Sequence, residues 1–315
     1  MAGIGASGSA RGIRALLAAL PLALGAAAGA GAAAGEGPGI VVGSFNIQWL
    51  GDGVNDHVLR GKPKRSAADF ARLRGVVAGL GADIVVLQEV ENETAVRRIL
   101  PQRNWQVFIS GRKTDAEWAQ RVAIIARPGL QVRRLPDVKS LGLPNERGEY
   151  RLRYGVDVEI SQGGQQFRLL GIHLKTGCFT ARPGKWACEQ LWKQLPPLKE
   201  WIAARAAEST PFVIAGDWNR ELYAPRDELW AEIAAAAPAK LRLAALGRKA
   251  PRTCWNAEKQ RVDHIVLGDL PPAPVWVREK AGDFAEHPFP HPPELEPVLS
   301  DHCPVTARLR FTAPR

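Results

Sequence analysis

The sequence predicts an α/β fold, on three observations. Short apolar runs rich in β-branched residues recur along the chain and read as buried strands. The first two runs flank a helical pattern, the strand–helix–strand opening expected of that class. The runs extend from about residue 40 to the C-terminus, and no long linker, low-complexity stretch or internal repeat divides them. At 315 residues the chain is long enough for two domains of about 150 residues, but sandwiches and barrels reach about 250 as one. One large domain, preceded by a distinct N-terminal segment, is the better reading.

In chain order, residues 40–45 form the first strand and end at Asn46. A Gly-rich loop follows, then a helix. Ser66 with Asp69 makes a capping-box-like start, Phe70, Leu73, Val77 and Leu80 recur at helical spacing, and Gly79 and Gly81 end it. The second strand, residues 84–87, delivers Gln88 and Glu89. Further strands are expected at 107–110, 122–126, 155–160 and 167–173, with Gly163-Gly164 as the hairpin turn before the last. Residues 189–205 read as helix, broken or restarted at Pro196-Pro197. A strand at 212–216 ends at Asp217, and a helix is expected at 227–236. Strands at 261–267 and 305–311 complete the fold, and the Pro-rich stretch 287–297 is an extended loop leading to Ser300.

The first 34 residues differ from the rest. Arg11 and Arg14 precede an apolar run at 15–24, and small residues follow up to Ala32-Ala33-Ala34. A charged start, a short apolar core and an Ala-x-Ala-like zone predict a secretory signal peptide over 1–34, leaving 35–315 as the folded domain. Several Ala-x-Ala frames overlap between Ala26 and Ala34, so the exact cut stays open. An uncleaved anchor or a disordered tail is the alternative. The core is short beside the ~20 residues of a membrane span, contains Pro21, and offers no Cys for a lipid anchor. The expected location is therefore secreted or periplasmic, where disulfides persist. Cys178, Cys188, Cys254 and Cys303 allow three connectivities. Cys178 with Cys188, closing a short loop after His173, and Cys254 with Cys303 is the favoured pairing. No Cys-x-x-Cys spacing points to a metal.

The formal net charge is +10, and +8 once Arg11 and Arg14 are removed. This suits a polyanion such as nucleic acid, or an anionic membrane face; scattered Lys and Arg equally suit a merely soluble basic surface. One cluster, Arg60, Lys62, Lys64 and Arg65, lies on the loop after Asn46. It is placed either to meet phosphates or to be solvated.

Function tends to sit on loops just past strand ends. Those positions here hold carboxylates, carboxamides and imidazoles, the groups that a hard metal ion and a phosphate ester require. Six segments occur in order: Ser44-Phe45-Asn46, Leu87-Gln88-Glu89-Val90, Gly171-Ile172-His173-Leu174, Gly216-Asp217-Trp218-Asn219, Arg261-Val262-Asp263-His264 and Ser300-Asp301-His302. A lone Gly-Asp-x-Asn would be a weak signal. All six in order resemble the endonuclease/exonuclease/phosphatase superfamily, of which deoxyribonuclease I is a member. The resemblance implies a four-layer sandwich, two mixed β-sheets packed face to face with helices outside. It also implies hydrolysis of phosphoester bonds with Mg²⁺ or Mn²⁺.

The resemblance further implies roles. Glu89 is the principal metal ligand, Asn46 a metal-proximal carboxamide and Asp301 a further metal or water ligand. His302 is a general base or transition-state stabiliser, held in its tautomer by Asp263. Asp217 is the base or orients the attacking water, and Asn219, two residues on, donates to a phosphate oxygen. His173 stabilises charge or protonates the leaving group, and Arg153 aligns loosely with a phosphate-contacting arginine. One position departs from deoxyribonuclease I: Gln120, before Arg121, stands where a glutamate partners the catalytic histidine. An amide can hold His173 in place but cannot stabilise its protonated form as a carboxylate would. His264 points to the strand face opposite Asp263 and reads as structural. Trp218 reads as packing beneath the site. His57, His287 and His291 fall in loops without an evident partner.

Three functional readings result. The leading one is an exported, metal-dependent phosphodiesterase acting on DNA or RNA, with no obligate protein partner. The second keeps the fold and changes the substrate to a phospholipid, sphingomyelin or inositol phosphate. Lipid-acting relatives usually add an exposed apolar hairpin, and no long Trp/Phe-rich insertion is present, although Phe179 and Trp186 flank the Cys178–Cys188 loop where they can touch a membrane. The third is a non-catalytic binding protein. It is disfavoured because every expected acidic and imidazole position except that of Gln120 is filled.

Overall fold

The computed structural model describes residues 39–53, 63–112, 120–144, 152–179, 184–225, 227–254, 260–270, 276, 279–289 and 299–312. The expected signal segment, His57, Arg60, Lys62, His291 and most of the Pro-rich loop lie outside the described residues.

The elements run β1 (Gly39–Leu50), α1 (Ala67–Gly79), β2 (Ile84–Val90), α2 (Glu93–Arg97), β3 (Gln106–Ile109), β4 (Arg121–Ala126), β5 (Gln131–Arg134), β6 (Val156–Gln162), β7 (Gln165–His173), α3 (Trp186–Lys193), α4 (Leu195–Ala207), β8 (Phe212–Asp217), α5 (Glu228–Ala235), β9 (Arg242–Ala245), β10 (Asp263–Asp269), β11 (Phe284–Glu286) and β12 (Val305–Arg310). The capping box at α1 is complete: Ser66 Oγ accepts from the Asp69 N–H, and Asp69 Oδ2 accepts from the Ser66 N–H at 2.8 Å. α3 ends at Gln194, and α4 restarts with Pro196 in its first turn. There a missing N–H costs no helical hydrogen bond. β5, β9, β11 and α2 were not expected from the sequence. They are only three to five residues long, too short to show a period.

One sheet has the order β11-β12-β1-β2-β4-β3 and the other β5-β6-β7-β8-β10-β9. Each contains one parallel pair, β1/β2 and β7/β8, among antiparallel neighbours. Both sheets are therefore mixed. Alternation assigns their faces. Ile40, Val42, Ile84, Val86, Val158, Leu169, Val213, Ala215 and Ile265 fill the core between the sheets. Phe45, Val85 and Leu87 turn the other way, onto Phe70, Leu73 and Val77 of α1. Leu170, Ile172 and Ile214 turn away from the second sheet onto Leu191, Leu198, Ile202 and Leu229 of α3, α4 and α5. Helix, sheet, sheet, helix is the expected four-layer sandwich. Each fully buried Ile, Leu or Val in these layers contributes about 1.5–3 kcal/mol. At Gly171 the sheets approach so closely that a Cβ would lie 2.8 Å from Val86 Cγ1. No helix among the described residues is long and apolar enough to cross a membrane.

Candidate active site

The alternation that builds the inter-sheet core also aims the site. Continuing the inward phase of β1 from Val42 gives Ser44 and Asn46; from Val86, Gln88; from Leu169, His173; from Val213, Asp217; and from Ile265, Asp263. The parallel pairs bring the carboxyl ends of β1, β2, β7 and β8 to one edge of the sandwich, and the antiparallel β10 starts there, with Asp263 opposite Asp217.

Glu89 is out of phase. By alternation it belongs to the outer, helix-covered face with Leu87. Instead its backbone is left-handed, φ 60°, and the β2 pairing shifts register beside it. Opposite, Gln48 and Trp49 are also left-handed, at φ 44° and 59°. Paired irregularities of this kind re-aim side chains next to active sites. Here they turn Glu89 into the cleft, where Oε2 accepts from the Trp49 N–H at 3.1 Å. Arg65 secures the kink, donating to the carbonyls of Ile47, Gln48, Trp49 and Leu299 at 2.7–2.9 Å. Arg65 is thus neither a phosphate contact nor a solvated loop residue.

Asn46, Glu89, His173, Asp217 and Asn219 line one cleft of about 350 Å³, together with Asp263, Asp301 and His302. Asn46 Nδ2 donates to Asp217 Oδ2 at 3.0 Å and its Oδ1 accepts from the Gln48 N–H at 3.0 Å. Asp217 Oδ1 accepts from the Asn219 N–H at 2.8 Å, and Asn219 Nδ2 donates to the Leu174 carbonyl at 3.1 Å. His302 Nδ1 meets Asp263 Oδ2 at 2.7 Å, so its Nε2 faces away from that carboxylate. His173 Nε2 lies 3.4 Å from Asp217 Oδ2, while its Nδ1 is buried without a hydrogen-bond partner among the described residues. The Gln120 amide therefore does not hold His173 through Nδ1. Gly216 makes the turn into Asp217 at φ 152°, where a Cβ would come within 2.0 Å of the Ile172 carbonyl oxygen.

Burial and mutual charge set the protonation states. Burial, then the neighbouring Asp263, push the Asp217 carboxyl up to about 7 against the pull of His302, Asn46 and the Asn219 N–H. Burial opposes charge on His302, but the Asp263 carboxylate and its hydrogen bond, with Asp217 and Asp301, outweigh it and raise its pKa to about 10. His173 moves the other way: burial, then the charges of Arg153 and His302, hold it well below the usual histidine value. Burial raises Glu89, with Arg153 and His302 opposing and Asp301 adding.

Arg153 is buried and donates to the Leu174 carbonyl. Its charge acts on Glu89 and Asp217, and it is not among the residues lining the cleft. His264 turns outward, with Nε2 2.9 Å from the Arg220 carbonyl and its ring edge-on to Tyr223. Trp218 is fully buried, and its Nε1 donates to the His264 carbonyl at 3.3 Å. His287 has a partner that its sequence context did not reveal: its Nε2 lies 2.7 Å from Thr306 Oγ1 on β12. The disulfides are Cys178–Cys188 and Cys254–Cys303, and the second anchors the residue next to His302.

A metal test can be made on the donors themselves. Glu89, Asn46 and Asp301 offer only oxygen, the chemistry of Mg²⁺ and Mn²⁺ sites. Asn46 Oδ1 accepts one hydrogen bond and keeps a second lone pair. Burial disfavours the charge on Glu89, a cost that a bound cation removes. Asp217, Asp263 and His302 also bring donor atoms within 4.8 Å of one another, but His302 and Asp263 are already engaged with each other. The residues fit a divalent cation.

Sequence comparison gives this arrangement its class. The model of the Endonuclease/Exonuclease/phosphatase family matches residues 43–302. The chain belongs to that family, whose members are divalent-metal-dependent hydrolases of phosphoester bonds. Among solved structures, truncated Caenorhabditis elegans TDP2 is similar at 18% identity and TM-score 0.57, over 86% of this chain and 97% of that one. The human Nocturnin catalytic domain, solved with bound sulfate, is similar at 16% identity and TM-score 0.57, over 87% and 94%. D. rerio TDP2 complexed with a single-strand DNA product is similar at 19% identity and TM-score 0.56, over 86% and 98%. These likenesses concern the fold. No curated protein matches the chain.

Proposed function

We propose that the chain is an exported, metal-dependent phosphodiesterase acting on nucleic acid. The observation that carries this reading is the convergence of Asp217, near neutrality in its pKa, and the Asp263-held His302 on one cleft. An Asp with a pKa of about 7 is matched to removing a proton from water at neutral pH. His302, charged beside Asp263, stabilises negative charge as it develops on phosphorus-bound oxygens. His173 stays neutral and acts as a hydrogen-bond donor rather than as the acid for the leaving oxygen. Asn219 holds Asp217 through its N–H, and its side chain positions a phosphate oxygen. Glu89, Asn46 and Asp301 would hold a divalent cation, which when bound would supply electrophilic stabilisation of the phosphoryl group. The Arg153 charge acts on Glu89 and Asp217. The basic chain favours a polyanionic substrate. Two disulfides support an oxidising compartment, as does the signal-like sequence over 1–34.

The test is hydrolysis of supercoiled plasmid, single-stranded DNA and RNA by residues 35–315 with Mg²⁺, Mn²⁺ or EDTA, beside His302→Ala. Metal-dependent cleavage lost in the variant supports the reading. Intact nucleic acids with a folded parent reject it. N-terminal sequencing of protein recovered outside the cytoplasm checks cleavage near residue 34.

A further inference from the structure

Phe179 and Trp186 are the large apolar side chains left exposed among the described residues, at 39% and 62%. Both lie in the segment closed by the Cys178–Cys188 disulfide, and Phe179 lines the catalytic cleft. Its backbone is fixed relative to the site. The Phe179 carbonyl accepts from the Glu221 N–H at 3.3 Å, and the Cys178 carbonyl accepts from Arg220 Nη1 at 3.0 Å, both donors following Asn219 directly. Two exposed aromatic rings in one short disulfide-closed segment, one of them lining the cleft, offer a contact surface beside the site.

Charge identifies what the surface contacts. The Lys175 ammonium lies 5.1 Å from the centroid of the Trp186 ring, a cation–π arrangement, and Lys185 beside Trp186 is exposed. Aromatic faces interleaved with cations match a single-stranded nucleic acid, whose bases stack while its phosphates follow the positive charge.

We propose that Phe179 and Trp186 form a stacking platform for unpaired nucleobases flanking the scissile phosphate, making single-stranded strands the preferred substrate. This rests on the nucleic-acid reading above. The test compares short single-stranded oligonucleotides, with or without an abasic site beside the cleavage position, in the parent, Phe179→Ala, Phe179→Trp and Trp186→Ala. Circular dichroism and a free-thiol assay confirm each fold. The expected parent has a KM about tenfold lower for the base-bearing strand. Phe179→Ala shrinks that preference below twofold, Phe179→Trp keeps it, and Trp186→Ala weakens it at the neighbouring nucleotide. A parent that cleaves DNA but ignores the abasic site, or a Phe179→Ala variant that keeps the preference, overturns the platform alone. A parent that cleaves no nucleic acid, yet hydrolyses phosphatidylcholine vesicles and sediments with them, overturns the nucleic-acid reading as well.

Discussion

The Ser300 hydroxyl donates to the Asn46 carbonyl at 2.6 Å, joining the end of β1 to the loop that carries His302. The same oxygen accepts from the His302 N–H at 3.0 Å. One buried hydroxyl thus sets the spacing between the Asn46 side of the cleft and the His302 imidazole. Replacing Ser300 by Ala removes the acceptor of the His302 N–H and a donor to the Asn46 carbonyl, and is expected to cost about 1–3 kcal/mol. It should also lower kcat by more than it raises KM. Urea unfolding and steady-state kinetics check both; unchanged kcat would show that the loop is positioned by other contacts.

Asp263→Asn is expected to remove the charge that holds His302 protonated, and to lower kcat by about 10²–10⁴ with little change in unfolding midpoint. A variant within tenfold of the parent would remove His302–Asp263 from the chemistry.

His264 gives a pH prediction away from the cleft. Burial, then the charge of Arg261, depress its pKa to about 3 despite its hydrogen bonds to backbone. The folded protein keeps this ring neutral while the unfolded chain takes up a proton below about 6.5. Its contribution is therefore whole above pH 6.5 and is lost as pH falls from there towards 3, by at most about 1.4 kcal/mol per unit. Unfolding free energies of parent and His264→Gln between pH 7 and 4.5 should show the steeper fall in the parent. An NMR signal of protonated His264 in the folded protein at pH 5 would contradict this.

The Cys254–Cys303 bond spans 49 positions. Its removal by paired Cys→Ser substitution is expected to cost about 2–4 kcal/mol and to reduce activity through the adjacent His302. Thermal unfolding and kcat/KM in the variant measure the two effects.

Gly216→Ala is expected to destabilise by at least about 3 kcal/mol, because its Cβ would meet backbone 2.0 Å away at a positive φ. A near-parental urea midpoint would mean that the turn into Asp217 relaxes.

Several of these features were legible beforehand. The strand runs followed from their apolar, β-branched composition, the α1 cap from Ser66 and Asp69, and the shared side of Asp217 and Asn219 from their spacing of two, all local properties of the chain. The outward placement of His264 follows from alternation along its strand. The short edge strands β5, β9 and β11 did not show, because pairing with a neighbour, rather than their own pattern, makes them strands.

Sequence by itself determined which chemical groups stand at the strand ends and in what order, since residue identity and alternation are encoded locally. Tertiary structure alone decided how they meet. Left-handed backbone at Gln48, Trp49 and Glu89 brought an out-of-phase carboxylate into the cleft. Arg65 left its basic cluster to clamp that kink, and Arg153 was buried on the Leu174 carbonyl, where its charge acts on Glu89 and Asp217. Each outcome depends on carbonyls and charges contributed by segments distant in sequence, and buried groups must satisfy them wherever folding places them.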